Sequence, residues 1–330
     1  MELKIKLLNW SAGLPVAMLN VKTAKKLGVY SPERISIKTL SKHPQETSAI
    51  LDVVKELTTE NEVAISSELK EYLNLSNGQR VEVNLANYPE SITIIKKKLN
   101  NKSLSQEEIN TLVKDIVNNV LSDAEIALFI SATYERGMST RETIFLIKAF
   151  QQSGFQLKFK NKIIADKHSI GGIPGNRTTP IVVPICAAAG LIMPKNSSRA
   201  ITSAAGTADV IETIADIEFS LKDLKKIIKK TNACMVWSGA LGLVPADYKM
   251  IKIEKSLNID PEPQLIASIM SKKLAAGSTH ILIDIPYGKN AKVNKKQALA
   301  LKRKFEYFGK YFKRKLKCIL TPGDQPIGNG

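Results

Sequence analysis

Hydrophobic positions change their spacing twice along the chain. Over residues 1–88 they come in short alternating runs. The stretch EVAISSELKEYLNLSNGQRVEVNLA predicts a strand, a short helix, a turn at Asn77-Gly78 and a second strand. The turn follows because both of its residues tolerate a positive φ. The earlier VYSPERISIKTL predicts a related turn-and-strand unit, a candidate internal duplication that would suit a compact barrel. From 89 to 152 the period becomes helical, with Ile126, Leu128, Phe129 and Ile130, then Ile144, Leu146 and Ile147. Three S-x-x-E capping boxes punctuate it, Ser105 with Glu108, Ser122 with Glu125 and Ser139 with Glu142. In each, hydroxyl and carboxylate satisfy each other's orphan backbone donors. About four helices are expected there.

From 155 onward strands alternate with helices, which argues for a mostly parallel sheet. FQLKFKNKIIADKHS contains a strand, and IVVPICAAAGL is expected to follow it as a buried helix. ADVIETIA and SLKDLKKIIKKTN predict helices; ACMVWSG, HILIDIPYG and LKCILTPGD predict strands. DPEPQLIASIMSKKLAAG is a helix of different character, assigned to the helical part. The expected architecture is therefore multidomain α/β. A β-rich, barrel-like domain spans 1–88, a helical domain spans 89–152 plus about 247–276, and an α/β phosphate-binding domain spans 153–246 plus 277–330.

Composition sharpens this picture in three respects. A chain of 330 residues with 44% hydrophobic content can fill two or three cores. No apolar run reaches membrane-spanning length, and MELKIKLLNW lacks the pattern of a signal peptide, so a cytoplasmic setting without a membrane partner is expected. Cys186, Cys234 and Cys318 are scattered and odd in number, so neither a metal site nor a disulfide framework is expected. The formal charge of +17 attracts phosphates of any kind. Much of it lies in KKQALALKRKFEYFGKYFKRKLK, readable as a solvated helix face or a nucleic-acid patch. No nucleic-acid-binding motif accompanies it, so nucleic acid is not the expected partner.

The candidate chemistry lies in DKHSIGGIPGNRTTP, residues 166–180, a loop at the carboxyl end of a strand, where open α/β sheets bind ligands. Gly171, Gly172 and Gly175 allow close backbone approach to an anion, and the next helix offers free N–H groups. Lys167, Ser169 and Thr178 add a charge and hydroxyls. The loop follows neither the Walker nor the dinucleotide fingerprint, and an ordinary glycine-rich connection remains the other reading. His168 fits a site role or a structural one.

A second element, SSRAITSAAGTADVIETIA, turns these pieces into a resemblance. KHSIGG followed by this element resembles the thymidine and pyrimidine nucleoside phosphorylase family, with Ser198, Arg199, Gly206, Thr207, Asp209 and Glu212 in the signature positions. The helical segment 89–152 also resembles that family's small helical domain. GGIPGNRTT after the glycines, the extra amino-terminal domain, and SLNIDPEPQLIASIMSKK without a base-binding arginine resemble its archaeal AMP phosphorylase branch.

The resemblance implies phosphorolysis of AMP, and of CMP and UMP, to the free base and ribose 1,5-bisphosphate, with inorganic phosphate as co-substrate and no cofactor. It implies phosphate positions at Lys167, Ser169, Thr178 and Thr207. It implies nucleotide positions at Gly172, Ser198, Arg199, Ala200, Ile201, Thr202, Ser203, Thr207, Ser268, Lys272 and Lys292. Asp260 falls on the proton donor, and His168 is the second catalytic candidate. The rival for Asp260 is a helix N-cap before Pro261. Lys292 and Arg199 are the cations expected at the 5′-phosphate. The family forms homo-oligomers and its members are longer, so part of the α/β domain is expected to be missing. A thymidine-type phosphorylase and a catalytically impaired nucleotide- or nucleic-acid-binding fragment are the alternatives. Closure of the cleft is expected to bring the phosphate and base positions together.

Overall fold

The computed structural model describes residues 1–160, 163–171, 178–200 and 205–325. The chain forms two compact units, one of Met1–Thr93 with Asn118–Glu125, the other of Ile94–Val117 with Ile126–Gly330.

The first unit holds β1 (Glu2–Leu7), β2 (Val16–Asn20), α1 (Val21–Leu27), β3 (Arg34–Thr39), β4 (Glu46–Val54), β5 (Glu62–Ile65), α2 (Ser67–Leu73) and β6 (Arg80–Leu85). The strands close into a barrel in the order β1-β5-β2-β4-β3-β6. Exchanging β1 with β4, β2 with β5 and β3 with β6 maps every pairing onto another of the same sense. The parallel pair β1–β5 becomes β4–β2, and the antiparallel pair β1–β6 becomes β4–β3. The two halves therefore repeat a strand–helix–strand unit, as the sequence suggested. Alternate strand positions Leu3 and Ile5, Ile35 and Ile37, and Val81 and Val83 point inward and are buried. Gly78 takes φ +78 at the expected turn, while the Asn77 side chain accepts the Leu7 N–H at 3.0 Å. Arg34 donates to both oxygens of Glu125, at 2.8 and 2.5 Å, and to the Val120 carbonyl.

Four helices follow: α3 (Glu90–Leu99), α4 (Gln106–Val117), α5 (Asp123–Arg136) and α6 (Thr140–Gln152). All three capping boxes form. Each serine N–H reaches its glutamate at 2.7–2.8 Å, and each glutamate N–H reaches the serine hydroxyl. Glu142 also accepts from buried Lys98 at 2.9 Å. Burial would raise its carboxyl, but Lys98 and Ser139 together hold it below the ordinary range.

The α/β part runs β7 (Ala165–Ser169), α7 (Thr178–Ala188), β8 (Met193–Ser197), α8 (Thr207–Ile211), α9 (Leu221–Thr231), β9 (Ala233–Trp237), α10 (Ser238–Leu241), α11 (Pro245–Leu257), α12 (Glu262–Ala275), β10 (His280–Tyr287), α13 (Lys295–Tyr311) and β11 (Lys315–Pro322). The order β11-β10-β7 is parallel, as is β8-β9, and a parallel bridge between Ile164 and Ile192 links the two. α11 packs on α4 and α12 along α6.

One expectation needs correction, and one strand was not foreseen. α7 is not a buried helix. Thr179 and Val183, one turn apart, are buried, whereas Ile181 and Ile185 on the other face are 58% and 62% exposed. β8 carried no strand signal, since MPKNS has no β-branched residue. It is a strand because β9 supplies a full parallel ladder in a position where every side chain is buried.

Candidate functional site

One cavity in the second unit gathers most of the predicted positions. Lys167, His168, Ser169, Thr178, Ser198, Arg199, Ala200, Thr207, Asp260, Ser268, Lys272 and Lys292 all line it. Gly172, Ile201, Thr202 and Ser203 lie outside the described residues, as do Pro174, Gly175 and Asn176. The phosphate positions Lys167, Ser169, Thr178 and Thr207 and the base positions Ser268 and Lys272 line this same cavity.

β7 delivers the first group. Alternation along the strand sends Asp166 and Lys167 to opposite faces. Lys167 turns into the cavity and hydrogen-bonds the Thr178 hydroxyl at the start of α7. Burial pulls its ammonium below the usual lysine range, and the Asp284 charge pulls it back up. Asp166 points the other way and pairs with Lys273 of α12 at 3.0 Å, both side chains fully enclosed. Its second oxygen accepts from Ser278. His168 keeps part of its surface open to the cavity, but its Nδ1 is buried with no hydrogen-bond partner. Burial, then the charges of Lys273, Lys195, Lys272 and Lys167, hold its imidazole well below the usual histidine range. Both causes favour the uncharged imidazole while the cavity is empty.

The signature around Arg199 works as a brace. Asp209 Oδ2 accepts the N–H groups of Ala200 and Gly206, at 2.9 and 2.8 Å, and so folds the loop back onto α8. Glu212 takes both guanidinium nitrogens of Arg199, at 2.5 and 2.9 Å, and the guanidinium lies 4.6 Å from the Trp237 ring centre. Gly206 is required by space, since a Cβ there would meet Ala200 N and Ser198 O at 2.9 Å. In this structure Arg199 is thus engaged by Asp209, Glu212 and Trp237.

α12 delivers the third group. Ser268 and Lys272 share one helix face, as the spacing of four requires, and Lys272 donates to Ser268 and to Asp247 of α11, both at 2.7 Å. Asp260 precedes the helix but does not cap it. The N-cap is Pro261, with no side-chain cap bond. Asp260 instead pairs with Lys292, and its second oxygen is buried without a partner. The N-cap reading therefore fails, and Lys292, expected at a 5′-phosphate, is engaged by Asp260 in this structure.

Two residues were not foreseen. Lys195 on β8 lines the cavity at 3% exposure. The signal was a lysine two residues before the element SSRAITS, hidden because β8 was not recognised. Glu254 on α11 is equally buried, and burial with the nearby Asp260 and Asp247 charges pushes its carboxyl up to about 9. Its charged neighbours Asp247 and Asp260 are close in the chain, but nothing in the sequence marked this face of α11 as buried.

The helical bundle domain of the glycosyl transferase family matches residues 92–154, and the a/b domain of that family matches residues 161–300. AMP phosphorylases from Thermococcus kodakarensis, Pyrococcus furiosus and Methanococcus aeolicus are 43%, 42% and 38% identical over 100%, 98% and 99% of this chain. The chain spans 65%, 64% and 64% of their respective lengths. Anthranilate phosphoribosyltransferase from Thermus thermophilus has the same fold, with a TM-score of 0.55 over 72% of this chain and 68% of that one, at 17% identity. With two domains of one family matched over more than half its length, and with the relatives' similarity running through barrel, bundle and sheet alike, the chain belongs to the glycosyl transferase family built from a helical bundle and an a/b domain.

Proposed function

We propose that this protein carries out phosphorolysis of nucleoside 5′-monophosphates, with AMP the first substrate and CMP and UMP the further ones. The observation that carries the reading is the single cavity where Lys167, Ser169 and Thr178 meet Asp260, Ser268 and Lys272. Its similarity to AMP phosphorylases over nearly its whole length supports the choice of nucleotide. In the proposed reaction an oxygen of inorganic phosphate attacks C1′ of the ribose while the bond from C1′ to the base breaks. The electron pair of that bond leaves with the base, which takes one proton. The products are the free base and ribose 1,5-bisphosphate. No cofactor and no metal is required, and the site is completed within a homo-oligomeric, cytoplasmic enzyme.

Positioning and electrostatics carry most of the rate, because the sugar becomes cationic and the attacking group is an anion. Lys167, Ser169, Thr178 and Thr207 hold the attacking phosphate. Ser268 and Lys272 meet the base, with Asp247 fixing the Lys272 ammonium. Asp260 gives the base its proton. When the nucleotide's 5′-phosphate enters, it competes with Asp260 for Lys292. Neutral His168 donates or accepts a hydrogen bond on the sugar side without adding charge. Gly172 and the segment Ser198–Ser203 complete the nucleotide contacts.

The test is a substrate comparison with phosphate present, using AMP, CMP, UMP, thymidine and uridine, with release of base and of ribose 1,5-bisphosphate measured by chromatography. Turnover confined to thymidine or uridine would replace the reading with a nucleoside phosphorylase. Binding of AMP without turnover in any arm would leave a nucleotide-binding protein.

A further inference from the structure

The cavity contains four lysines, and their charges are not equally compensated. Lys272 and Lys292 are paired with Asp247 and Asp260. Lys167 and Lys195 have no carboxylate within ion-pair distance among the described residues, and only Lys167 belongs to a recognised phosphate loop. Lys195 projects from β8, and its Nζ donates to the backbone carbonyl of the adjacent Asn196 at 2.6 Å. It is 3% exposed, yet its surroundings include the cavity wall. Lys272 and Lys273 face it from α12, Asp166, Lys167 and His168 from β7, and Cys234 from β9. The one carboxylate among these, Asp166, is already paired with Lys273.

We propose that Lys195 is an anion ligand of this cavity that is uncharged when the cavity is empty and takes up one proton from water when a phosphate group binds beside it. This rests on the proposed function only for the identity of the anion. A buried amine surrounded by three cations sheds its proton, because the charged form loses hydration and meets repulsion. Burial and the Lys273 charge accordingly set its proton affinity well below the ordinary lysine value. A dianion at the cavity wall reverses both effects: it replaces the lost hydration by a charge-assisted hydrogen bond and screens the neighbouring ammonium groups. The balance is simple. A neutral Lys195 amine, one proton from the medium and the anion give an ammonium paired with the anion. The device keeps an empty cavity from accumulating repulsive charge and favours doubly charged ligands over singly charged ones.

The test is calorimetry of inorganic phosphate and of sulfate binding to the full chain, at a pH of about 8.5 and in two buffers of different ionisation heat. Sulfate carries no proton at that pH, so any proton gained comes from the buffer. The expected result is uptake of about one proton per anion, with Lys195→Met taking up none and binding about 10- to 100-fold more weakly. Methionine matches the lysine stem and removes a buried amine, and its melting curve checks that it folds. Uptake absent in the wild type would overturn the proposal. So would uptake kept in Lys195→Met and lost in Lys167→Met. If the anions bind with uptake but AMP is not cleaved, Lys195 stands and the phosphorylase reading falls. If neither anion binds, both fall.

Discussion

Replacing Asp166 by Leu strands a charge in the most enclosed part of the second unit. Lys273 is fully buried and its Nζ lies 3.0 Å from Asp166 Oδ1. At that distance, with an effective dielectric of about 20, the attraction is about 5–6 kcal/mol. Desolvation of the pair offsets much of it, and removing one partner of such a pair costs about 3–5 kcal/mol. The lost Ser278 hydrogen bond adds about 1 kcal/mol. The Lys273 ammonium would then face Lys272 and the Lys195 nitrogen, with no carboxylate opposite. Its proton affinity, already lowered by burial and sustained by Asp166, falls further below the lysine value. Wherever the folded state then binds fewer protons than the unfolded one, stability rises with pH, so the variant's deficit is full below the lowered folded value of Lys273 and shrinks as pH rises from there toward about 10.4. The chain has two tryptophans, Trp10 in the first unit and Trp237 in the second. In a Trp10→Phe background, urea unfolding followed by Trp237 fluorescence reports the second unit alone. The double variant Asp166→Leu/Lys273→Met is expected to recover to within about 1–2 kcal/mol of wild type, since an apolar pair of similar size replaces the ion pair. A single variant costing less than about 1 kcal/mol, or a double variant no more stable than the single, would refute the reasoning.

Four further outcomes are expected. Asp260→Asn breaks the ion pair with Lys292 and so lowers the melting temperature while the protein still folds, and abolishes base release from AMP; a folded, active Asn variant removes the proton-donor role. Glu254 holds its proton up to about 9 when folded but releases it near the ordinary glutamate value when unfolded, so its contribution to stability is lost as pH rises through about 9; Glu254→Gln flattens that part of the stability–pH curve, measured by urea titration. Arg34→Met removes three hydrogen bonds and an ion pair with Glu125, and lowers the first unit's stability by about 2–3 kcal/mol, read from Trp10 fluorescence in a Trp237→Phe background. Arg199→Lys loses the two-pronged bond to Glu212 and the contact with Trp237, and raises the KM for AMP more than it lowers kcat, since the brace shapes the loop without touching the reacting atoms.

Local chemistry was readable from residues close together in the chain. The capping boxes join residues three apart, the Asn77-Gly78 turn acts on its own flanks, and Ser268 with Lys272 share a face by helix period alone. The Arg199 signature was readable for the same reason, since Asp209 and Glu212 brace it from only 10 and 13 residues away. These features, with the alternation along the barrel strands, mark most of the strands and helices and the candidate loop at the end of β7. What tertiary structure decided is where each buried charge is spent. Asp166 meets Lys273 across 107 residues, Asp247 meets Lys272 across 25, and Asp260 meets Lys292 across 32. Burial makes those distant partners decisive, because an uncompensated charge inside the protein costs several kcal/mol, whereas on the surface water screens it. For that reason the spacing of lysines along the chain did not separate Lys195, with no carboxylate opposite, from Lys272 and Lys273, each matched to an aspartate, and the folded cavity did.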